Sequence, residues 1–109
     1  MICKRYDIHW VELDPTRGSE LRKTRPAVIV SLDVLNRALE TVVVCPLTSQ
    51  LHAAWRTRLP VKVKGKQAEI AADQIRTVSK GRIGKKLASL SIRDASALRR
   101  LLGEMYSES

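Results

Sequence analysis

The sequence predicts a mainly β protein, a small and strongly bent antiparallel barrel closed by one C-terminal helix. Three observations predict it. Short β-branched runs recur between Pro, Gly and polar breaks, as strands joined by turns require. Helical spacing dominates only one stretch, at the C-terminal end. And 109 residues suffice for one core and one domain, 1–109, in which so many strands must curl or be covered to hide their edges.

The elements follow in order. Residues 7–13 set Ile8 and Trp10 against His9, Val11 and Leu13, a strand ended by Asp14-Pro15. Residues 15–24 turn polar and basic and predict a long, mobile loop. Pro26 can only open or edge a strand, and residues 27–31 run apolar on both faces, as a buried central strand does. Residues 33–40 suit a helical turn capped by Asp33, and residues 41–45 a third strand stopped by Pro46. A second loop spans 47–57. Residues 58–64 then alternate and end at Gly65, with Lys62 and Lys64 on a wet face that, with Lys66, keeps it from pairing. Residues 69–72 and 74–78 predict two short strands bent at Asp73, and Gly81 and Gly84 break the basic run 80–86 before a strand at 87–90. Ser91 and Asp94 form a capping box, after which Ile92, Ala95, Leu98, Leu101, Leu102 and Met105 make one apolar helical face.

Twenty Lys and Arg against eleven Asp and Glu give a net charge of +9, a field that attracts polyanions. Nucleic acid leads the expected partners, followed by an acidic protein segment. There is no 18-residue apolar run and no apolar leader at the start, which predicts a cytoplasmic protein without membrane contact. Two cysteines, two histidines and no acidic cluster are poor ligands, so no metal or other cofactor is expected. Cys3, Cys45 and His9 are expected to be structural and Trp10 to lie in the core.

Two strand boundaries carry candidate chemistry. Pro26 biases Arg25 toward extended geometry beside the first loop, and Thr48 follows the third strand. If strands two and three pair antiparallel, both stand at one end of the sheet. A guanidinium fork and a hydroxyl suit a phosphodiester, and RNA brings its own nucleophile in the 2′-OH.

These residues also carry a family resemblance. Residues 10–20 (WVELDPTRGSE), 25–31 (RPAVIVS), 46–49 (PLTS) and 72–76 (ADQIR), in this order and spacing, resemble the MazF/PemK (Kid) toxins of toxin–antitoxin pairs, sequence-selective endoribonucleases on the CcdB-like, SH3-type barrel. The resemblance implies Arg25 and Thr48 as the catalytic pair and Glu20 as a contributor. In some relatives an acidic residue two places after the Arg76-like position shares the acid–base work; Val78 stands there in this chain, which favours the Arg25/Thr48 arrangement. The proton acceptor stays open between Glu20 and Arg25. RNA contacts are expected from Arg17 and Lys23 in the first loop, from Ser49, Trp55 and Arg56 in the second, and from Gln74, Arg76, Lys80, Arg82, Lys85 and Lys86. Trp55 is a candidate to stack a splayed base. The resemblance further implies metal-independent cleavage of single-stranded mRNA to 2′,3′-cyclic phosphate and 5′-OH ends, a homodimer, and a cognate acidic antitoxin of the MazE/PemI kind. The alternatives are a CcdB-like gyrase-binding toxin and a non-catalytic RNA-binding module.

Overall fold

The computed structural model describes residues 2–13, 24–52 and 54–108. Seven strands and two helices follow the predicted order: β1 (Asp7–Glu12), β2 (Thr24–Ile29), α1 (Asp33–Ala38), β3 (Thr41–Thr48), β4 (Arg58–Val63), β5 (Lys66–Ala71), β6 (Arg76–Ser79), β7 (Ile83–Ser89) and α2 (Ile92–Tyr106). The strands form one curled antiparallel sheet in the order β4-β5-β3-β2-β1-β7, with β6 on the first half of β3. It is a half-barrel with one C-terminal helix, the architecture expected. Among the described residues no helix is long and apolar enough to cross a membrane.

β2 and β3 are buried on both faces because each face meets its own core. Ala27 and Ile29 join Val11, Val42, Val44 and Ile83 in one cluster, while Val28 and Val30 join Ile8, Cys45, Ile70 and Leu98 in the other. α2 covers the second cluster through Leu98, with Leu101, Leu102 and Met105 beside it. Ser91 caps this helix by accepting the Asp94 amide at 3.0 Å, the hydroxyl half of the predicted capping box. Ile92 is not on the apolar face but 91% exposed, since it precedes the turn that first meets the sheet. Leu98→Ala leaves a cavity under the sheet and should cost about 2–5 kcal/mol, read from urea unfolding midpoints.

Several boundaries differ from expectation for local reasons. β3 runs through Pro46 to Thr48. The Val30 amide donates to the Val43 carbonyl, so by antiparallel alternation the Ala27/Pro46 pair is a non-bonded one, and the missing Pro46 N–H faces away from β2. On that side β3 is changing partner, from β6 at Thr41–Val44 to β5 at Leu47–Thr48. β2 begins at Thr24, with Pro26 opposite Trp10 of β1 rather than opening the strand. Its ladder to β3 nevertheless ends at Ala27, because the next bonded pair, Pro26/Leu47, lacks its donor. Asp33 is the first helical residue rather than the cap, which is Leu32; the Asp33 carboxylate instead accepts the Arg5 amide at 2.7 Å.

Lys64 and Gly65 both take positive φ, as the two-residue turn between β4 and β5 demands. Asp73 sits in a 3₁₀ turn, Ala72–Gln74, between β5 and β6. Gly84 lies within β7 rather than breaking it: a Cβ there would come within 3.0 Å of the Trp10 carbonyl, so only glycine lets β7 close on β1. Its carbonyl accepts a hydrogen bond from His9 Nδ1 at 2.9 Å, which fixes the tautomer of that buried ring. Cys3 and Cys45 are buried and unbonded to each other, and burial, aided by the charge of Asp73, pushes the Cys45 thiol up to about 12.

Candidate functional site

The end of the β2/β3 ladder is where the predicted pair meets. Carrying the register Ala27↔Pro46 outward by two residues sets Arg25 opposite Thr48, on the face of the first core cluster. Both line a polar cleft of about 250 Å³ together with His52, Arg58, Gln74 and Arg76. Arginines from three strands thus line one cleft with the Thr48 hydroxyl, a lining rich in positive charge and hydrogen-bond donors that suits an anion.

The hydroxyl is oriented. The Gln50 amide donates to Thr48 Oγ1 at 3.1 Å, a turn bond that occupies an acceptor position and leaves the O–H hydrogen to donate. Arg58 is fixed more firmly. Its Nε donates to Asp73 Oδ1 at 2.9 Å, and its guanidinium lies 4.8 Å from the centre of the Trp55 ring. Burial by itself would raise the Asp73 carboxyl, but hydrogen bonds from Arg58, its own backbone amide and Thr57, with the Arg58 charge, hold it below the usual carboxylate range. The clamp is therefore ionised at neutral pH.

The second loop is built around the same groups. The His52 and Trp55 rings stack at 3.9 Å, and the His52 amide donates to the buried Glu69 carboxylate at 2.8 Å. His52 thereby contributes its imidazole to the cleft wall.

Of the residues singled out from the sequence, Arg25, Thr48, Gln74 and Arg76 share this cleft, and Ser49 lines an adjoining cavity that also has Arg25 and Thr48 on its lip. Trp55 is half-exposed but already stacked on His52, and Arg56 is exposed beside it. Lys80, Arg82, Lys85 and Lys86 line neither cavity. Lys86 pairs with Asp7 at 3.4 Å, across the β1/β7 ladder. Arg17, Glu20 and Lys23 lie outside the described residues. Trp10 is not core: it is 40% exposed and lines the adjoining cavity. Arg58 and His52 were not singled out for the cleft. Both owe their place to a fold-level closure, Arg58 to Asp73 and His52 to Glu69, that no local pattern marks. Among the described residues no cluster of three or more His, Cys, Asp or Glu could hold a metal.

Comparison with known proteins gives a consistent result. The family described as PemK-like, MazF-like toxin of type II toxin–antitoxin system matches residues 4–106. The chain is 33% identical over 98 residues to endoribonuclease EndoA of Bacillus subtilis, covering 83% of this chain and 82% of that protein. It is likewise 33% identical over 98 residues to endoribonuclease MazF of Staphylococcus saprophyticus, covering 83% and 79%. In fold it is similar to MazE–MazF (Form-II) from Deinococcus radiodurans, with a TM-score of 0.85 at 21% identity over 100% of this chain and 99% of that one. The Mycobacterium tuberculosis toxin MazF-mt6 gives 0.78 at 23% identity over 94% and 98%.

Proposed function

The chain belongs to the PemK-like, MazF-like toxins of type II toxin–antitoxin systems, and from that premise we propose that it is an endoribonuclease whose polar cleft holds the scissile phosphate of single-stranded RNA. The observation that carries this reading is that Arg25, Arg58 and Arg76 line one cleft together with Thr48. In the reaction, the ribose 2′-oxygen forms a bond to phosphorus and the bond from phosphorus to the 5′-oxygen breaks. The 2′ proton passes to a base, for which the Glu20 carboxylate is the fitting group because a guanidinium has no free acceptor position, and the departing 5′-oxygen takes its proton from the conjugate acid of that base or from water. Arg25 offers a donor fork to the charge that builds on the non-bridging oxygens, and Thr48 adds its O–H. The products are a 2′,3′-cyclic phosphate and a 5′-OH.

The basic surface also supports a protein partner. Relatives of the same fold were solved as MazE–MazF and as an endoribonuclease with its cognate antitoxin. For this chain we read an acidic antitoxin segment competing with RNA, a homodimer, and action in the cytoplasm where mRNA is translated.

The test is direct. Purified protein incubated with a long RNA in excess EDTA should cut it at selected sites, at a rate unchanged by the chelator, and the mapped ends should carry cyclic phosphate and 5′-OH. RNA binding without cleavage would leave only a binding module, and loss of cutting in EDTA with rescue by magnesium would overturn metal independence.

A further inference from the structure

Behind Arg25 and Thr48 the second core cluster opens to solvent as a cavity of about 460 Å³, within the ordinary range of small-ligand sites of about 300–1,000 Å³. Its walls are Trp10 of β1, Pro26 of β2, Leu47 of β3 and Leu87 of β7, four strands that converge where the sheet curls. Trp10 is held there. It pairs with Pro26 across the ladder, and its backbone is pressed against Gly84, yet two-fifths of its surface stays open. On the lip stand Lys64 of the β4/β5 turn and Lys66, the first residue of β5, and Gln67 and Ser49 supply amide and hydroxyl groups.

The chemistry of an occupant follows from what the two cavities share. Arg25, Leu47 and Thr48 line both, so a ligand spanning them has an anionic group on one side and a flat apolar group on the other, within one residue's reach. A nucleotide has that layout. We propose that this cavity takes one unstacked nucleobase of the RNA strand, adjacent to the phosphate held at Arg25 and Thr48, with the base against Trp10 and its edge hydrogen-bonded by Gln67 and Ser49. The assignment rests on the RNA-cleaving reading above and adds a specificity residue to it. Stacking on an aromatic ring tolerates any base, whereas a polar edge selects among them. Gln67 is therefore the selector and Trp10 the platform. The two lysines serve the neighbouring phosphates.

The experiment digests a random-sequence RNA pool and sequences the cut ends. Relative to the parent protein, Gln67→Leu should relax the base preference at one position beside the cut by about tenfold or more and leave the other positions unchanged. Gln67 is exposed at a hairpin, so the variant folds. Trp10→Leu should raise KM about tenfold or more with a smaller change in kcat. A binding arm covers the case in which the Trp10 variant does not fold. In the Trp55→Phe protein, where Trp10 is the sole tryptophan, an oligoribonucleotide blocked by a deoxynucleotide at the scissile site should quench fluorescence, and an abasic site at the selected position should abolish the quenching. Cutting by the parent protein with preferences untouched by Gln67→Leu would refute the base pocket alone. No cutting of the pool by the parent would remove the reading on which it rests. Quenching by an acidic peptide but not by RNA would assign the cavity to a protein partner and overturn the proposal.

Discussion

Arg25→Ala lowers RNA cleavage by about two orders of magnitude or more and leaves the thermal unfolding midpoint close to that of the parent protein. The rate effect follows from losing one preorganised donor aimed at developing charge, a loss that costs about 10²–10³ elsewhere. Stability holds because the Arg25 side chain is exposed, and its backbone pairing with Val11 of β1 is kept by alanine. Arg25→Lys should recover little, since an ammonium presents a point charge where the guanidinium presents a fork. Initial rates on a defined RNA, with circular dichroism melts of each variant, check both statements. A folded Arg25→Ala protein with near-parental rates would remove Arg25 from the chemistry.

An RNA with a single deoxynucleotide on the 5′ side of the scissile bond binds with affinity similar to the all-ribose strand and yields no product above background. The cleft holds donors and positive charge, so the nucleophile assigned to the reaction is the substrate's own 2′-OH. Removing that oxygen takes away the attacking atom while the phosphate contacts persist. Gel-shift titration beside a cleavage time course separates the two effects. Product from the deoxy-substituted strand would mean that water attacks, and the site would need a different account.

Much of this fold was legible because its signals are local. β-branched runs mark the strands, Gly65 marks the end of β4, though Lys64 belongs to the turn and not to the strand, and Ser91 with the helical spacing after it marks α2. Arg25 and Thr48 were legible for the same reason: Arg25 directly precedes a proline and Thr48 follows one by two residues, each near a strand end, and antiparallel pairing brings those ends together. What escaped depends on which edge of a strand a residue faces. Pro46 reads as a stop only if both edges are bonded, and at Pro46 one edge lies between partners. Trp10 alternates with Ile8 as a core residue should, but on its face a cavity opens to solvent instead of a packed core. Lys86 reads as a solvated cation until β7 is registered on β1 and Asp7 comes within reach. Arg58 enters the cleft only because the 3₁₀ turn after β5 carries Asp73 back to it.

The burial of the two thiols reaches beyond packing. Thiolates are what alkylators and peroxides attack, and both Cys3 and Cys45 are raised above the ordinary thiol range by burial. Cys45 sits in mid-β3 with no exposed surface, so a reagent meets it only when that strand parts from its neighbours. Oxidants and alkylators therefore reach neither thiol readily while the sheet stays closed. By the same token, the rate at which Cys45 is labelled is a clock for the opening of the central strand, readable in the presence of RNA or partner without touching the groups that bind them.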